Sequence, residues 1–180
     1  AMPLSSQEQK ILDSIIVASE NNPKRPEFPP DNPRFPATST YRISIPGFSN
    51  VWMKDESTNL TGTHKDRMAW EMIVTYREIL SAKKRGQFQG PLPQLSIISF
   101  GSAAIAVQTA LRTYGLPPLK VLYDRRYMTT EALKTLELLE AELYETDLSR
   151  KVYSWEEILS LTQNEGGFDI TSNQGLDPTT

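Results

Sequence analysis

The stretch LSIISFGSAAIA at residues 95–106 decides the fold of this chain. It opens with an unbroken run of apolar and small side chains bounded by turn residues, which is typical of a parallel strand buried on both faces. The glycine at position 101 predicts a turn, and the alanine-rich residues after it predict a helix. A buried strand that leads directly into a helix indicates the first half of a strand–helix–strand unit.

The same alternation continues downstream. Residues 119–123 predict the next strand, residues 130–141 the next helix and residues 142–146 the last strand, while Gly115 ends the first helix of the set. This order predicts an α/β fold of three layers, in which helices flank a parallel sheet and the crossovers are right-handed. Four strand residues are expected to be buried: Ile97, Ile98, Val121 and Leu122.

Upstream of residue 95, the pattern predicts a hairpin followed by a long helix. Residues 41–45 and 51–54 alternate well enough to be two strands joined by a hairpin-like turn at 46–50. An amphipathic helix then runs from about His64 to Arg85. Its apolar stripe is predicted core and consists of Ala69, Met72, Ile73, Tyr76, Ile79 and Leu80.

Both ends of the chain differ in kind from the middle. Residues 6–20 predict a helix, and residues 21–36 hold six prolines, which exclude a regular helix or a central strand. We interpret the proline-rich segment as an extended arm laid over a larger body, with a disordered linker as the alternative. Near the other end, Ser154 with Glu157 predicts a capping box for a helix to about Asn164.

Composition excludes several classes of function. The 180 residues include 19 basic and 22 acidic side chains, and the net charge of −3 offers no basic footprint for nucleic acid. The basic clusters at residues 83–85 and 125–126 are interpreted as a solvated helix end and a solvated loop. The absence of cysteine and the single histidine exclude disulfides, thiolate nucleophiles and a multi-histidine metal site. No apolar run approaches the ~20 residues that span a bilayer, and no signal-peptide core is present, so we expect a cytoplasmic protein.

A second informative stretch is NLTGTHKDR at residues 59–67, in which Lys65 opens the long helix. The positive end of the helix macrodipole disfavours an ammonium in the first turn, and Asp66 partly offsets this. The same field favours the neutral amine that Schiff-base chemistry requires, and N–H groups at a helix start favour a phosphate. The alternative is a surface lysine that happens to begin a helix. Asp66 and Arg67 are interpreted as a structural pair rather than as catalysts.

Residues 59–67 resemble the signature around the cofactor lysine of fold-type-II pyridoxal-phosphate enzymes, the group of threonine synthase, cysteine synthase and the tryptophan synthase β chain. Residues 95–106 resemble the second landmark of that family, and residues 114–123 and 136–147 are similar to its next passages. The resemblance covers roughly residues 50–147 in the order of the family. It implies the small domain of such an enzyme plus part of the large one.

The resemblance also implies a set of site residues. Lys65 corresponds to the lysine that holds pyridoxal 5'-phosphate as an internal aldimine, and His64 and Ser102 correspond to further cofactor contacts. The loop that binds the substrate carboxylate corresponds to Ser99, Phe100 and Gly101. Two positions depart from the family, because asparagine is usual where Ser102 stands and a smaller residue is usual where Phe100 stands. The alternatives are a helix N-cap for Ser102 and a capping or solvent-facing role for His64.

On this resemblance, residues 1–40 contribute a helix and an arm to the large domain, residues 41–147 form the small domain, and residues 148–180 begin an incomplete return to the large domain. The glycine-rich phosphate cradle of the family lies beyond the segment that residues 169–173 match.

We therefore expect the N-terminal part of a pyridoxal-phosphate-dependent lyase or synthase of amino-acid metabolism, working as a homo-oligomer or with a complementing C-terminal half. The 180-residue chain alone is expected to bind the cofactor poorly and to be inactive. One alternative is a non-catalytic homologue that serves as a binding or interaction module. Another is a small α/β domain with accidental similarity.

Overall fold

The computed structural model describes residues 38–87, 89 and 92–171. The predicted helix at residues 6–20 and the proline-rich segment at residues 21–36 lie outside the described residues, as do Ser172 and Asn173 of the segment matched to the family.

A two-stranded antiparallel hairpin comes first. β1 (Thr40–Ile45) pairs with β2 (Phe48–Lys54), and Ile43 lies opposite Val51. The predicted pair of strands is confirmed, although β2 begins three residues earlier than expected. The reason is that Pro46-Gly47 completes the turn by itself, since Gly47 adopts a positive φ of 86° and the proline fixes the residue before it.

The long helix α1 (Lys65–Lys84) begins at Lys65, with Asp66 in its first turn and two lysines in its last turn, as the macrodipole favours. Gly86, at φ 73°, follows its end. The predicted apolar stripe is confirmed where the structure describes it fully: Ala69, Met72, Ile73 and Tyr76 are buried. Ile79 is half-buried, and the side chain of Leu80 lies outside the described residues.

The main sheet is parallel and has the strand order β5-β4-β3-β6. Its strands are β3 (Leu95–Ile98), β4 (Lys120–Tyr123), β5 (Glu142–Glu145) and β6 (Phe168–Asp169). β6 pairs with β3, so the chain returns to the same sheet at residues 168–169. The division into domains at residues 41–147 and 148–180 stays a prediction.

Helices cover both faces of this sheet, which confirms the predicted three-layer α/β fold. They are α2 (Ser102–Thr113), α3 (Thr130–Leu138) and α4 (Trp155–Leu161), together with α1. α1, α2 and α3 share one core with Ile97 and Val121. α4 packs on the opposite face, where Ser96 Oγ lies 3.0 Å from Thr162 Oγ1, because alternate residues along a strand point to opposite faces.

The predicted core is correct except at one position. Ile97 and Val121 are 0% exposed and Leu122 is 1% exposed, whereas Ile98 is only partly buried. Ile98 lies at the carboxyl end of β3, beyond the last residue with which β6 pairs. The short β6 and the short α4 leave this end of the face partly open.

The ends of the helices agree with the sequence prediction only in part. Gly115 follows α2 at φ 65°, and the predicted capping box of Ser154 and Glu157 is confirmed at the start of α4. α3 and α4 each end three residues earlier than predicted. The reason is that Glu140 and Gln163 adopt positive φ values of 63° and 51°, which terminate the helices without glycine.

Candidate functional site

The turn between β3 and α2 lies at the carboxyl edge of the parallel sheet, where open α/β sheets place their ligands. Ser99 is buried, and its Oγ accepts the N–H groups of Gly101 and Ala104, both at 3.2 Å. Gly101 occupies the N-cap position, and Ser102 is the first helical residue. The N-cap interpretation of Ser102 is therefore wrong, because Ser99 supplies the capping oxygen from the end of the strand.

Gly101 occupies a position that disfavours any residue with a Cβ. Its φ of 138° and ψ of −70° are conformations that side chains with a Cβ rarely adopt. A Cβ added there would lie 3.1 Å from the Cβ of Ala132 at the start of α3. The turn is thus held against the next helix of the fold.

The open end of α2 is suited to an anion. The bonds to Ser99 leave the intervening N–H groups of Ser102 and Ala103 facing the helix end. The first turn of α2 contains no acidic residue, and the Ser102 side chain is exposed. The macrodipole and these donors favour a carboxylate or a phosphate at this position.

Lys65 is half-buried at the first position of α1, and the loop before it is fixed by a buried carboxylate. Asp66 accepts the backbone N–H of Thr61 at 3.0 Å and the Thr61 hydroxyl at 2.8 Å. Desolvation raises the pKa of Asp66, and the hydrogen bonds from Thr61 partly counter this. Asp66 therefore anchors the Thr61 turn to the helix that carries Lys65.

A second interaction fixes the same loop from outside. Arg67 Nε donates to Glu56 Oε2 at 2.7 Å, and Glu56 also accepts from Thr38 at 2.6 Å and from Asn59 at 2.8 Å. The hydrogen bond from Arg67, followed by that from Thr38, lowers the pKa of Glu56 to about 2. Asp66 and Arg67 thus have structural partners, as expected: Asp66 binds Thr61, and Arg67 binds Glu56.

At the start of α1, unlike at the start of α2, the backbone N–H groups already have acceptors within the turn. The N–H groups of Lys65 and Asp66 donate to Thr63, at 3.2 and 3.3 Å, and that of Arg67 donates to the His64 carbonyl at 3.1 Å. His64 itself is exposed. The N–H groups of residues 65–67 are therefore engaged within the turn, and the role of His64 toward a phosphate stays a prediction.

The structure brings Ser99, Phe100, Gly101 and Ser102 together as one turn. Lys65 and His64 lie at the start of α1, the helix that packs against α2 in the same core. The predicted site residues therefore lie at, or directly before, the starts of two neighbouring helices.

Sequence reasoning missed a cluster of charges at the same carboxyl edge. Asp124 follows β4, is buried, and binds Arg126 through its side chain, with Arg126 Nε to Asp124 Oδ1 at 2.9 Å. Arg126 also reaches Asp147, which follows β5, at 2.6 Å. These residues line an open depression of about 630 Å³ together with Arg125, Glu145 and Thr146. The available signal was an aspartate within two residues of the end of each of two adjacent strands.

The described residues fit part of a pyridoxal-phosphate site. Lys65 supplies an amine on a fixed helix start, and the α2 turn supplies donors for an anion. The Gly166-Gly167 pair is not a phosphate cradle, because a Cβ at Gly167 would lie 2.2 Å from the Oδ1 of Asn164, whose side chain fills that turn.

Among the residues that the structure describes, no helix is long and apolar enough to cross a membrane. The same residues contain no group of three or more His, Cys, Asp or Glu side chains that could hold a metal ion.

Comparison with known proteins supports the fold. No protein-family model and no curated protein matches the chain. The structure of O-ureido-L-serine synthase matches 93% of this chain over 44% of its own length, with 20% identity and a TM-score of 0.52. A hydrogen sulfide-producing enzyme from Fusobacterium nucleatum matches 73% of this chain over 41% of its own length, with 21% identity and a TM-score of 0.51. An O-ureido-L-serine-bound mutant of the synthase matches 73% of this chain over 39% of its length, with 20% identity and a TM-score of 0.53.

The chain spans less than half the length of each of these solved structures. They are fold-type-II pyridoxal-phosphate enzymes, so the fold expected from the resemblance is confirmed. The described part of this chain has the fold of the N-terminal portion of such an enzyme.

Proposed function

We propose that this chain is the N-terminal part of a pyridoxal-phosphate-dependent lyase or synthase that acts on an amino acid. The observation that carries the proposal is the position of Lys65. It opens α1 in a chain with the fold of these enzymes, and hydrogen-bonded carboxylates fix the loop before it.

In this proposal Lys65 is the residue that holds the cofactor, and Ser102 and His64 are its further contacts. When bound, pyridoxal phosphate supplies an electron sink that stabilises negative charge at the α-carbon of an amino acid. The Ser99–Gly101 turn binds the substrate carboxylate. Ser99 fixes the shape of that turn through its two backbone hydrogen bonds.

Activity on this proposal needs more than the described residues provide. They contain one anion-facing turn and no second glycine-rich cradle. We therefore propose that a C-terminal portion, or a second copy that completes the cleft, supplies the phosphate cradle and excludes water from the site.

Borohydride trapping tests the assignment of Lys65. The 180-residue chain, complemented with its C-terminal portion, is incubated with pyridoxal phosphate, reduced and digested for peptide mapping. We expect a pyridoxyl label on Lys65 that disappears in Lys65→Ala. Lys84→Ala, at the other end of the same helix, is the control and keeps the label. Labelling that is undiminished in Lys65→Ala contradicts the assignment.

Two residues of the β3–α2 turn favour a second candidate, the non-catalytic binding or interaction module. Phe100 is bulky and 61% exposed in the turn assigned to the substrate carboxylate. Ser102 also offers a shorter side chain than the amide usual at its position. Trapping without selectivity for Lys65, from a chain that still binds a partner, would support this module.

A further inference from the structure

Two aromatic side chains stand exposed at the carboxyl edge of the sheet. Phe100 is 61% exposed and Tyr127 is 53% exposed. Their rings meet edge to face, with centroids 5.7 Å apart and planes at 66°. Large aromatic rings are usually buried in a protein core. Two exposed rings in contact with each other therefore indicate a surface that binds a ligand.

The position of Tyr127 is fixed from behind. The Arg126 guanidinium lies 5.4 Å from the centroid of the Tyr127 ring. Arg126 is itself bound to Asp124 through Nε at 2.9 Å and to Asp147 at 2.6 Å. Asp124 also accepts the N–H of Leu148 at 2.9 Å. Arg126, which contacts the Tyr127 ring, is therefore held by the loops after both β4 and β5.

Such pre-organisation lowers the entropic cost of binding, because the aromatic surface is already in place when a ligand arrives. The hydrogen bonds from Arg126 hold the pKa of Asp124 well below its usual range. Asp124 therefore stays negatively charged near neutral pH and continues to bind Arg126.

The rings also lie within reach of the turn assigned to the substrate. Phe100 directly precedes Gly101, and consecutive Cα atoms are about 3.8 Å apart. Phe100 is itself part of the Ser99–Gly101 turn, so a carboxylate bound at that turn lies next to the residue that carries the ring.

We propose that Phe100 and Tyr127, supported by Arg126, bind the side chain of an amino-acid substrate, and that the substrates are amino acids with an aromatic or large apolar side chain. This inference rests on the proposed function, which assigns the substrate carboxylate to the adjacent turn. It gives the bulk of Phe100 a role in selecting the substrate.

Titration of the cofactor-free 180-residue chain with L-phenylalanine and with L-alanine, followed by NMR of labelled phenylalanine and tyrosine rings, tests the proposal. We expect L-phenylalanine to shift the Phe100 and Tyr127 signals and to bind about tenfold more tightly than L-alanine. Phe100→Ala and Tyr127→Ala should each weaken binding by about tenfold. Phe100→Leu keeps an apolar side chain without the ring and tests the same contact if an alanine variant unfolds.

Phe168→Ala is the matched control, since Phe168 is 54% exposed and pairs with Leu95 at the amino end of the sheet. It should bind L-phenylalanine like the unmodified chain. Equal affinity for the two amino acids, equal loss in Phe168→Ala, or the absence of L-phenylalanine binding would overturn the proposal.

The titration and the borohydride trapping separate this inference from the proposed function, because the titration uses the cofactor-free chain and the trapping reports on Lys65. Failure of trapping alone argues against the cofactor lysine, and failure of the titration alone argues against the aromatic site.

Discussion

Replacing Gly101 by alanine tests how the β3–α2 turn is held. The φ of 138° is one that L side chains rarely adopt, and holding a residue with a Cβ there costs about 1–3 kcal/mol. The new Cβ would lie 3.1 Å from that of Ala132, and such overpacking costs about 1–3 kcal/mol. Restriction of the unfolded chain by alanine returns about 0.4–1 kcal/mol. We expect a net loss of about 1–5 kcal/mol in the free energy of unfolding.

Two further variants separate strain from contact. Gly115→Ala places a Cβ at φ 65° with nothing within 4 Å, so it should cost only about 1 kcal/mol. Ala132→Gly removes the neighbouring Cβ and weakens α3 by about 1 kcal/mol. In the double variant with Gly101→Ala, we expect a favourable coupling of about 1–2 kcal/mol.

Urea unfolding followed by circular dichroism measures each difference, provided that the slope with denaturant is unchanged. A loss in Gly101→Ala no larger than that in Gly115→Ala would refute the reasoning. The reasoning would also be refuted if the losses of Gly101→Ala and Ala132→Gly simply added in the double variant, because the contact with Ala132 would then contribute nothing.

Three further predictions concern the core, the loop before Lys65 and the isolated chain. Ile97→Ala should cost about 2–5 kcal/mol in urea unfolding, and Ile98→Ala clearly less, because Ile98 is partly exposed; equal losses would contradict the assigned burial. The Glu56 pKa of about 2 lies below its ordinary value of 4.5, so its contribution to stability is present above pH 4.5 and is lost as the pH falls toward 2. Between pH 7 and pH 3 the urea midpoint should therefore fall less in Glu56→Gln than in the unmodified chain, and an identical fall would show that Glu56 is not the titrating group. Titration of the isolated chain with pyridoxal phosphate, followed by visible absorbance and light scattering, should show weak binding and association of the chain; tight stoichiometric binding by a monomer would contradict this.

The order of strands and helices could be predicted because burial on a parallel sheet leaves a continuous apolar run, as at residues 95–99. Helix ends could be predicted only where a side chain or a glycine marks them. Ser154 announces its cap through the spacing to Glu157, whereas Glu140 and Gln163 end helices in a conformation that their own side chains do not favour. Tertiary packing imposes that conformation, and local sequence carries little trace of it.

The site could be predicted in its local parts and not in its long-range ones. Ser99 and Ser102 flank Gly101 almost symmetrically, and only the observed end of β3 decides that Ser99 supplies the cap. The contact between Arg126 and Asp147 depends on the pairing of β4 with β5, in which Tyr123 lies opposite Glu145. Strand register is a property of the folded sheet, so the residues appear in sequence as unrelated charges.

The two interpretations of Lys65 make different demands on the residues around it. A lysine that merely begins a helix on the surface needs no particular structure before it. Here the carboxylate of Asp66, which directly follows Lys65 in the first turn of α1, is 6% exposed, and burial of such a group is unfavourable unless it is hydrogen-bonded. The bonds from Thr61 satisfy Asp66, and Arg67 binds Glu56 on the outer side. These interactions constrain the backbone on both sides of residue 65, which is what a covalent attachment point requires and what a solvated lysine does not.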